Sequence, residues 1–352
     1  MKSSFRDDDV ILLLKDITGL VEPQEAKERE RLIQQGKHYS EMLPVEYVPT
    51  EPYMRIYENA LSCFAKPTAE AIEVLADRIM AEKAGDVVLV SLARAGTPIG
   101  VLLKRYLRLK FHLDAPHYSI SIIRGRGIDQ NAMQYLLDRY PPNDLLFVDG
   151  WIGKGAIWTQ LKQDVALYPG VSADLAVVSD PAKIGALCGT TEDILIPSSC
   201  LNCTVTGLIS RTFLREDVIG KDDFHGAVYY GELAESDLTY PFIEEIERNF
   251  DLKREHDISR PTAQKLTGLQ EVEKIAKDFD VGDINLIKPG IGETTRVLLR
   301  RVPWKILVAE QYENDPSLFP ILQLAKEKNV PVAYYPLMHY KTCGIIKKMA
   351  DA

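Results

Sequence analysis

The chain has 352 residues, enough for two or three domains. Its 46% hydrophobic and 26% charged content is that of an ordinary globular protein, and no apolar run approaches the roughly 20 residues of a membrane span. The N-terminus MKSSFRDDDV is too acidic and polar for a secretory signal, and five cysteines are too few and odd in number for a disulfide framework, so a cytoplasmic protein is expected. The net charge of −9 is unevenly spread: residues 281–352 hold ten Lys+Arg against seven Asp+Glu, a net of +3 against −12 for the rest. That balance argues against wholesale nucleic-acid binding but leaves room for it at the C-terminus.

In chain order, residues 1–55 read as an N-terminal extension on the core. It holds a helix near DDDVILLLKDI, a charged run EAKERERLIQQ and an extended, proline-bearing HYSEMLPVEYVPTEP. An α/β pattern fills 56–230. PTAEAIEVLADRIMAEK predicts a helix with proline in its first turn, VVLVSL a buried strand, PIGVLLKRYLRLK a helix and HYSISII a strand. LLFVD, LAVVSD and DILIP are three further buried strands; strands separated by helices imply a parallel sheet covered on both sides. Residues 231–280 read as a helical connection. A second α/β unit at 281–352 runs DINLIK, GETTRVLLRR (helix), KILVAE, SLFPILQLAKEKN (helix), PVAYYP and a last helix near TCGIIKKMA.

Two loops carry the chemistry. SLARAGTPIG places Arg94, Gly96 and Thr97 between a strand and a helix, and LLFVDGWIGKGAIW does the same with Asp149, Gly150, Gly153, Lys154, Gly155 and Ala156. Ligands of open parallel sheets sit beyond the carboxyl ends of the strands, and unpaired N–H groups at a helix start suit phosphate. Asp149 would repel phosphate, so it is expected on sugar hydroxyls between two phosphate-binding corners. The GKG run is no P-loop, because Gly155 stands where a Ser or Thr would be required.

Together with FRDDDVILLLKDITGL, HYSEMLPVEY, YSISIIRGRGID, IPSSCLNCTVTGLISRT and DDFHGA, these loops resemble the phosphoribosyltransferase family of bacterial tellurite-resistance and stress-response (Ter) gene clusters, a family also labelled the cysteine protease StiP. The resemblance covers about residues 1–230 and implies a type I phosphoribosyltransferase-like fold. It implies a Mg²⁺-dependent transfer of ribose from phosphoribosyl pyrophosphate (PRPP) to a base-like acceptor, towards a nucleoside-like product of stress response. By the same resemblance Arg94, Ala95, Gly96 and Thr97 would bind pyrophosphate, and Asp149 the ribose. Gly153, Lys154, Gly155 and Ala156 would hold the 5′-phosphate and Gly150 would stand in the same PRPP site in place of a second acid, with Mg²⁺ carried by PRPP rather than by protein ligands. Arg124 and Arg126, in IIRGRGID, would lie on a mobile loop closing over PRPP. Ser198, Ser199, Cys200, Asn202 and His225 are expected to wall the acceptor pocket. Tyr118, Ser119 and Ser121 should alternate between core and site; His112, His256 and His339 have no evident partner in sequence.

NLIKPGIGETTRVLLRR and the strands after it resemble the RNA-binding domain shared by Pelota and the kink-turn-binding ribosomal proteins. Lys288, Gly292, Glu293, Thr294, Thr295, Arg296 and Arg300 would meet RNA there, while the absence of obvious stacking aromatics disfavours single strands. Two rivals stand beside the transferase. One is an RNA-binding regulator that only senses PRPP. The other is a cysteine protease using Cys200 with His225, against which a lone Cys200-x-x-Cys203 pair offers no further support. A homodimer is left open.

Overall fold

The computed structural model describes residues 1–83 and 86–348. Six parallel strands form the main sheet, in the order Ile11–Leu12, His117–Ile120, Val88–Leu92, Leu145–Trp151, Leu175–Ser179, Leu187–Thr190. Side chains alternate across a strand, so both faces are apolar. Val88, Val90, Leu145, Phe147 and Val177 pack one way; Leu89, Leu146, Val148, Ala176 and Val178 pack the other way, under the helices Glu51–Glu82, Gly96–Phe111 and Thr239–Glu247.

After Val88–Leu92 the chain crosses to His117–Ile120 on one side, then returns to lay Leu145–Trp151 on the other. The order therefore reverses between Val88–Leu92 and Leu145–Trp151, and a crevice opens at such a switch point beyond the strand ends. Both the Arg94 loop and the Gly153–Gly155 loop emerge there.

The C-terminal unit is a four-stranded mixed sheet, ordered Ile287–Pro289, Thr342–Ile346, Pro303–Val308, Val332–Tyr334, with helices Gly268–Asp278, Ile291–Arg300 and Phe319–Glu327. Among the described residues no helix is long and apolar enough to cross a membrane.

Several expected elements differ. DDDVILLLKDI is not helical: Ile11–Leu12 pairs with Tyr118 and Ser119, and Lys15–Asp16 with Gly226 and Ala227, so tertiary pairing overrides local pattern. The helix expected from Pro67 begins at Glu51, where the Thr50 hydroxyl accepts from the Tyr53 N–H at 3.3 Å. Pro67 sits inside it on the exposed side with Cys63, so the carbonyl that loses its partner faces water. DILIP is irregular, and the sixth strand is Leu187–Thr190. Its Gly189 lies so close to the long helix that a Cβ would come 1.9 Å from the Ala71 carbonyl oxygen, a contact no hydropathy pattern reveals. TCGII is a strand rather than a helix, central in its sheet; Met349 and Ala350 of that expected helix lie outside the described residues.

Candidate functional site: a basic cleft between the two units

The C-terminal unit is docked over the switch-point crevice. The Gly292 Cα faces the Trp151 indole so closely that a Cβ would come 2.2 Å from its Cε2. The Tyr340 hydroxyl donates to the Gly153 carbonyl at 2.8 Å. Asp193 takes the Ile291 N–H at 3.0 Å and the Lys341 N–H at 2.9 Å, although burial raises its pKa to about 6. The Arg301 guanidinium pairs with Glu30.

Between the units lies a cleft of two joined cavities, about 220 and 230 Å³, sharing Asp149, Lys288, Glu293 and Arg296 among their walls. Eight basic side chains line it: Arg94, Arg124, Lys154, Arg211, Lys288, Arg296, Arg300 and Arg301. Among the described residues only two acids, Asp149 and Glu293, do so. Burying like charges together is unfavourable and disfavours their charged forms. Burial, reinforced by Arg29, Arg301 and Arg94, pushes Arg211 down to about 9; burial pushes Lys288 down to about 7 and Lys154 to about 8. Arg300 is lowered by burial and by Arg94 and Arg296. Burial raises Asp149 to about 6 despite Arg296. Arg94 Nε and Nη2, Arg211 Nε and the Trp151 indole N–H are buried donors with no hydrogen-bond partner among the described residues. Unpaired buried donors are costly, so this set is chemically arranged for an anion.

Sequence-predicted residues divide between cleft and scaffold. Arg94, Ala95, Asp149, Gly153, Lys154, Gly155 and Ala156 line the cleft together. Gly155, at φ +85°, forms the turn into the helix Ala156–Val165. The remainder of the first loop serves packing. A Cβ at Gly96 would come 2.3 Å from the Val148 carbonyl oxygen, and Thr97 is buried against the Ser119 hydroxyl at 2.8 Å. Gly150 donates its N–H to its neighbour Asp149 at 2.7 Å. Arg94 Nη1 is already engaged by the Ile209 carbonyl at 2.6 Å and Glu46 at 3.2 Å.

Other expectations are corrected. The Lys154 ammonium does not reach towards a phosphate; it is taken by the carbonyls of Ile284 and Ile287 and so clamps the C-terminal unit. IIRGRGID is a hairpin, Ile122–Ile123 against Gly127–Ile128, tied at several points. The Arg124 N–H meets Tyr39 at 2.8 Å, the Gly125 N–H meets Gln160 at 2.7 Å, and Arg126 pairs with Glu41. The expected acceptor wall is interior to the fold. Ser198, Ser199 and Cys200 are buried, Cys200 packing among Tyr53, Tyr57, Leu298 and Ile306, and Asn202 accepts from Arg300. His225 belongs to a different neighbourhood, bonded to Ser121 at 2.8 Å and through its N–H to Asp129 at 2.6 Å. Tyr118, Ser119 and Ser121 are all buried. His256 and His339, partnerless in sequence, contact Asp77 and Glu271.

The turn expected to meet RNA is not a free surface. Gly292 abuts Trp151, and Thr294 and Thr295 are fully buried, their hydroxyls turned to the Lys288 and Ile291 carbonyls. The Asp193 carboxylate caps this helix start, leaving Lys288, Glu293, Arg296 and Arg300 as cleft wall. Sequence reading missed Arg29, Tyr39, Trp151, Arg211 and Arg301, which are far apart in the chain and carry no motif. All five lay inside segments already quoted, yet nothing in those segments signalled a place beside the cleft.

Thiol chemistry has its own geometry. Cys63 is exposed, while Cys188, Cys200, Cys203 and Cys343 are buried. Burial pushes the thiols of Cys188, Cys200 and Cys203 up to about 12. Among the described residues, no group of three or more His, Cys, Asp or Glu is placed to hold a metal ion.

Known proteins resemble both units. Residues 266–348 match the PELOTA RNA-binding domain. A curated relative from Acinetobacter baylyi, named cysteine protease StiP, is 34% identical over 98% of this chain and 94% of its own length. Residues 3–247 match the family described as tellurite-like stress resistance cysteine protease StiP. That naming overturns the expected PRPP-dependent phosphoribosyltransferase and its nucleoside product, and with them the transferase, PRPP and nucleoside-synthesis descriptions. With a matching family over most of its length and a relative aligned nearly end to end, the chain belongs to the StiP family of tellurite-like stress resistance proteins and carries a C-terminal Pelota RNA-binding domain.

Proposed function

We propose that this StiP-family protein uses the cleft between its two units to capture a phosphorylated anion. One observation carries the reading: eight basic side chains against two acids around a cleft, in a chain whose net charge is −9. Charge-assisted hydrogen bonds contribute about 1.5–3 kcal/mol each, so partners for the open donors of Arg94 and Arg211 would offset much of the cost of burying them. A type I phosphoribosyltransferase-like scaffold is retained here only as a way of bringing two loops to one sheet edge. A polyphosphate would bring its own Mg²⁺, since the cleft acids are engaged: Asp149 by the Gly150 N–H and Glu293 by Arg296. Calorimetric titration with tripolyphosphate tests this. Binding should weaken at least tenfold in Arg211→Gln and in Arg300→Gln; equal affinity in both variants, or no binding by the parent protein, would refute it.

A second reading, peptide-bond hydrolysis, comes from the name of the relative. Cys203 is the cysteine it would fall to, because the cleft guanidinium groups of Arg94 and Arg300 both favour its thiolate, though burial and Glu46 outweigh them. Loss of casein cleavage in Cys203→Ser, with Cys63→Ser unaffected, is its expected signature.

A further inference from the structure

Trp304 is 39% exposed and is one of several exposed apolar side chains of its domain, with Phe319, Val332, Tyr334 and Met338. It stands at the rim of a cavity of about 770 Å³ formed where the segment around Tyr39 faces the C-terminal sheet. Phe279 meets the Trp304 ring edge-on at 6.3 Å, and the Lys305 ammonium lies about 5 Å from both ring centres. Lys37, Arg124, Arg301, Lys347 and Lys348 supply five cations to the walls, against Asp280 and Asp283. Tyr39, Arg124 and Arg301 also line the central cleft, so groove and cleft share a wall.

An exposed aromatic platform flanked by cations recognises unpaired bases and the backbone that joins them. The C-terminal domain matches an RNA-binding family, yet its GETT turn is buried against Trp151 and capped by Asp193, so RNA must meet another face. We propose that this groove, rather than the buried turn, is the RNA-binding face of the protein, and that it takes a single strand with a base stacked on Trp304. Sequence reading missed the platform because Phe279 and Trp304 lie on separate elements and meet only in the fold.

Fluorescence anisotropy with a labelled, unstructured RNA decamer tests the inference on the full chain. Trp304→Ala should weaken binding about tenfold, as expected for the removal of one base–aromatic stack. The double variant Lys347→Glu/Lys348→Glu should weaken it further and flatten the salt dependence, by about 0.7 in log–log slope for each phosphate no longer neutralised. All three substituted positions lie outside the central cleft, so tripolyphosphate affinity should be unchanged; this shows that the variants are folded and separates the groove from the cleft. Undiminished RNA binding in both variants, or binding of a duplex hairpin as tight as that of the decamer, would overturn the proposal. RNA binding that persists in Arg211→Gln, which is impaired for tripolyphosphate, leaves it standing.

Discussion

Lys288 offers the sharpest test of the cleft, because pH alone switches its charge in the physiological range. Its ammonium faces Glu293, Lys154, Arg124 and Arg301, and burial holds its pKa at about 7 instead of the usual 10.5. A lysine lowered in the fold is neutral above that pKa and gains its proton as pH falls, whereas a bound anion favours the charged form throughout. With a pKa of about 7, the group is about one-tenth charged at pH 8 and about nine-tenths charged at pH 6. If the anion holds Lys288 charged at both values, affinity rises about tenfold between pH 8 and pH 6, or about 1.4 kcal/mol. The ligand's own titration, that of Lys154, lowered to about 8, and that of Asp149, raised to about 6, act in the same window. They cancel when the parent is compared with Lys288→Met. Tripolyphosphate titrations at pH 6, 7 and 8 on both proteins therefore isolate the lysine. A parent-to-variant affinity ratio that stays constant across the three pH values refutes the placement of Lys288 against the ligand.

Further outcomes can be checked more simply. Gly292→Ala sets a Cβ into the Trp151 ring, which is no flexible chain end, so denaturant unfolding should show a loss of about 1–3 kcal/mol. Asp193→Ala leaves the Ile291 and Lys341 N–H groups unpaired under the docked unit and should cost about 1–3 kcal/mol per stranded donor, with faster proteolysis between the units. Gly155→Ala forces a side chain into φ +85° and towards Ile184, so it should lower stability by about 1–2 kcal/mol and weaken tripolyphosphate binding as well. Native iodoacetamide labelling followed by mass spectrometry should modify Cys63 alone, and all five cysteines after denaturation; rapid native labelling of Cys203 would instead favour the hydrolytic reading.

The chain alone determined the parts whose physics is local. Apolar runs such as VVLVSL, LLFVD and LAVVSD must be buried on both faces; with helices between them they give a parallel sheet, and the loops after the first two meet beyond its carboxyl ends. Only the tertiary structure decided what those loops face. Lys154 reads as a phosphate ligand until the Ile284 and Ile287 carbonyls claim it, and the GETT turn reads as an RNA contact until Trp151 and Asp193 cover it. Arg211 and Arg301, about 90 residues apart, become one cationic wall solely because the C-terminal unit folds back over the sheet. Charge acts through space, and a sequence orders residues only along the chain. For that reason the scaffold could be read from pattern, while the electrostatics of the cleft required the docked domain.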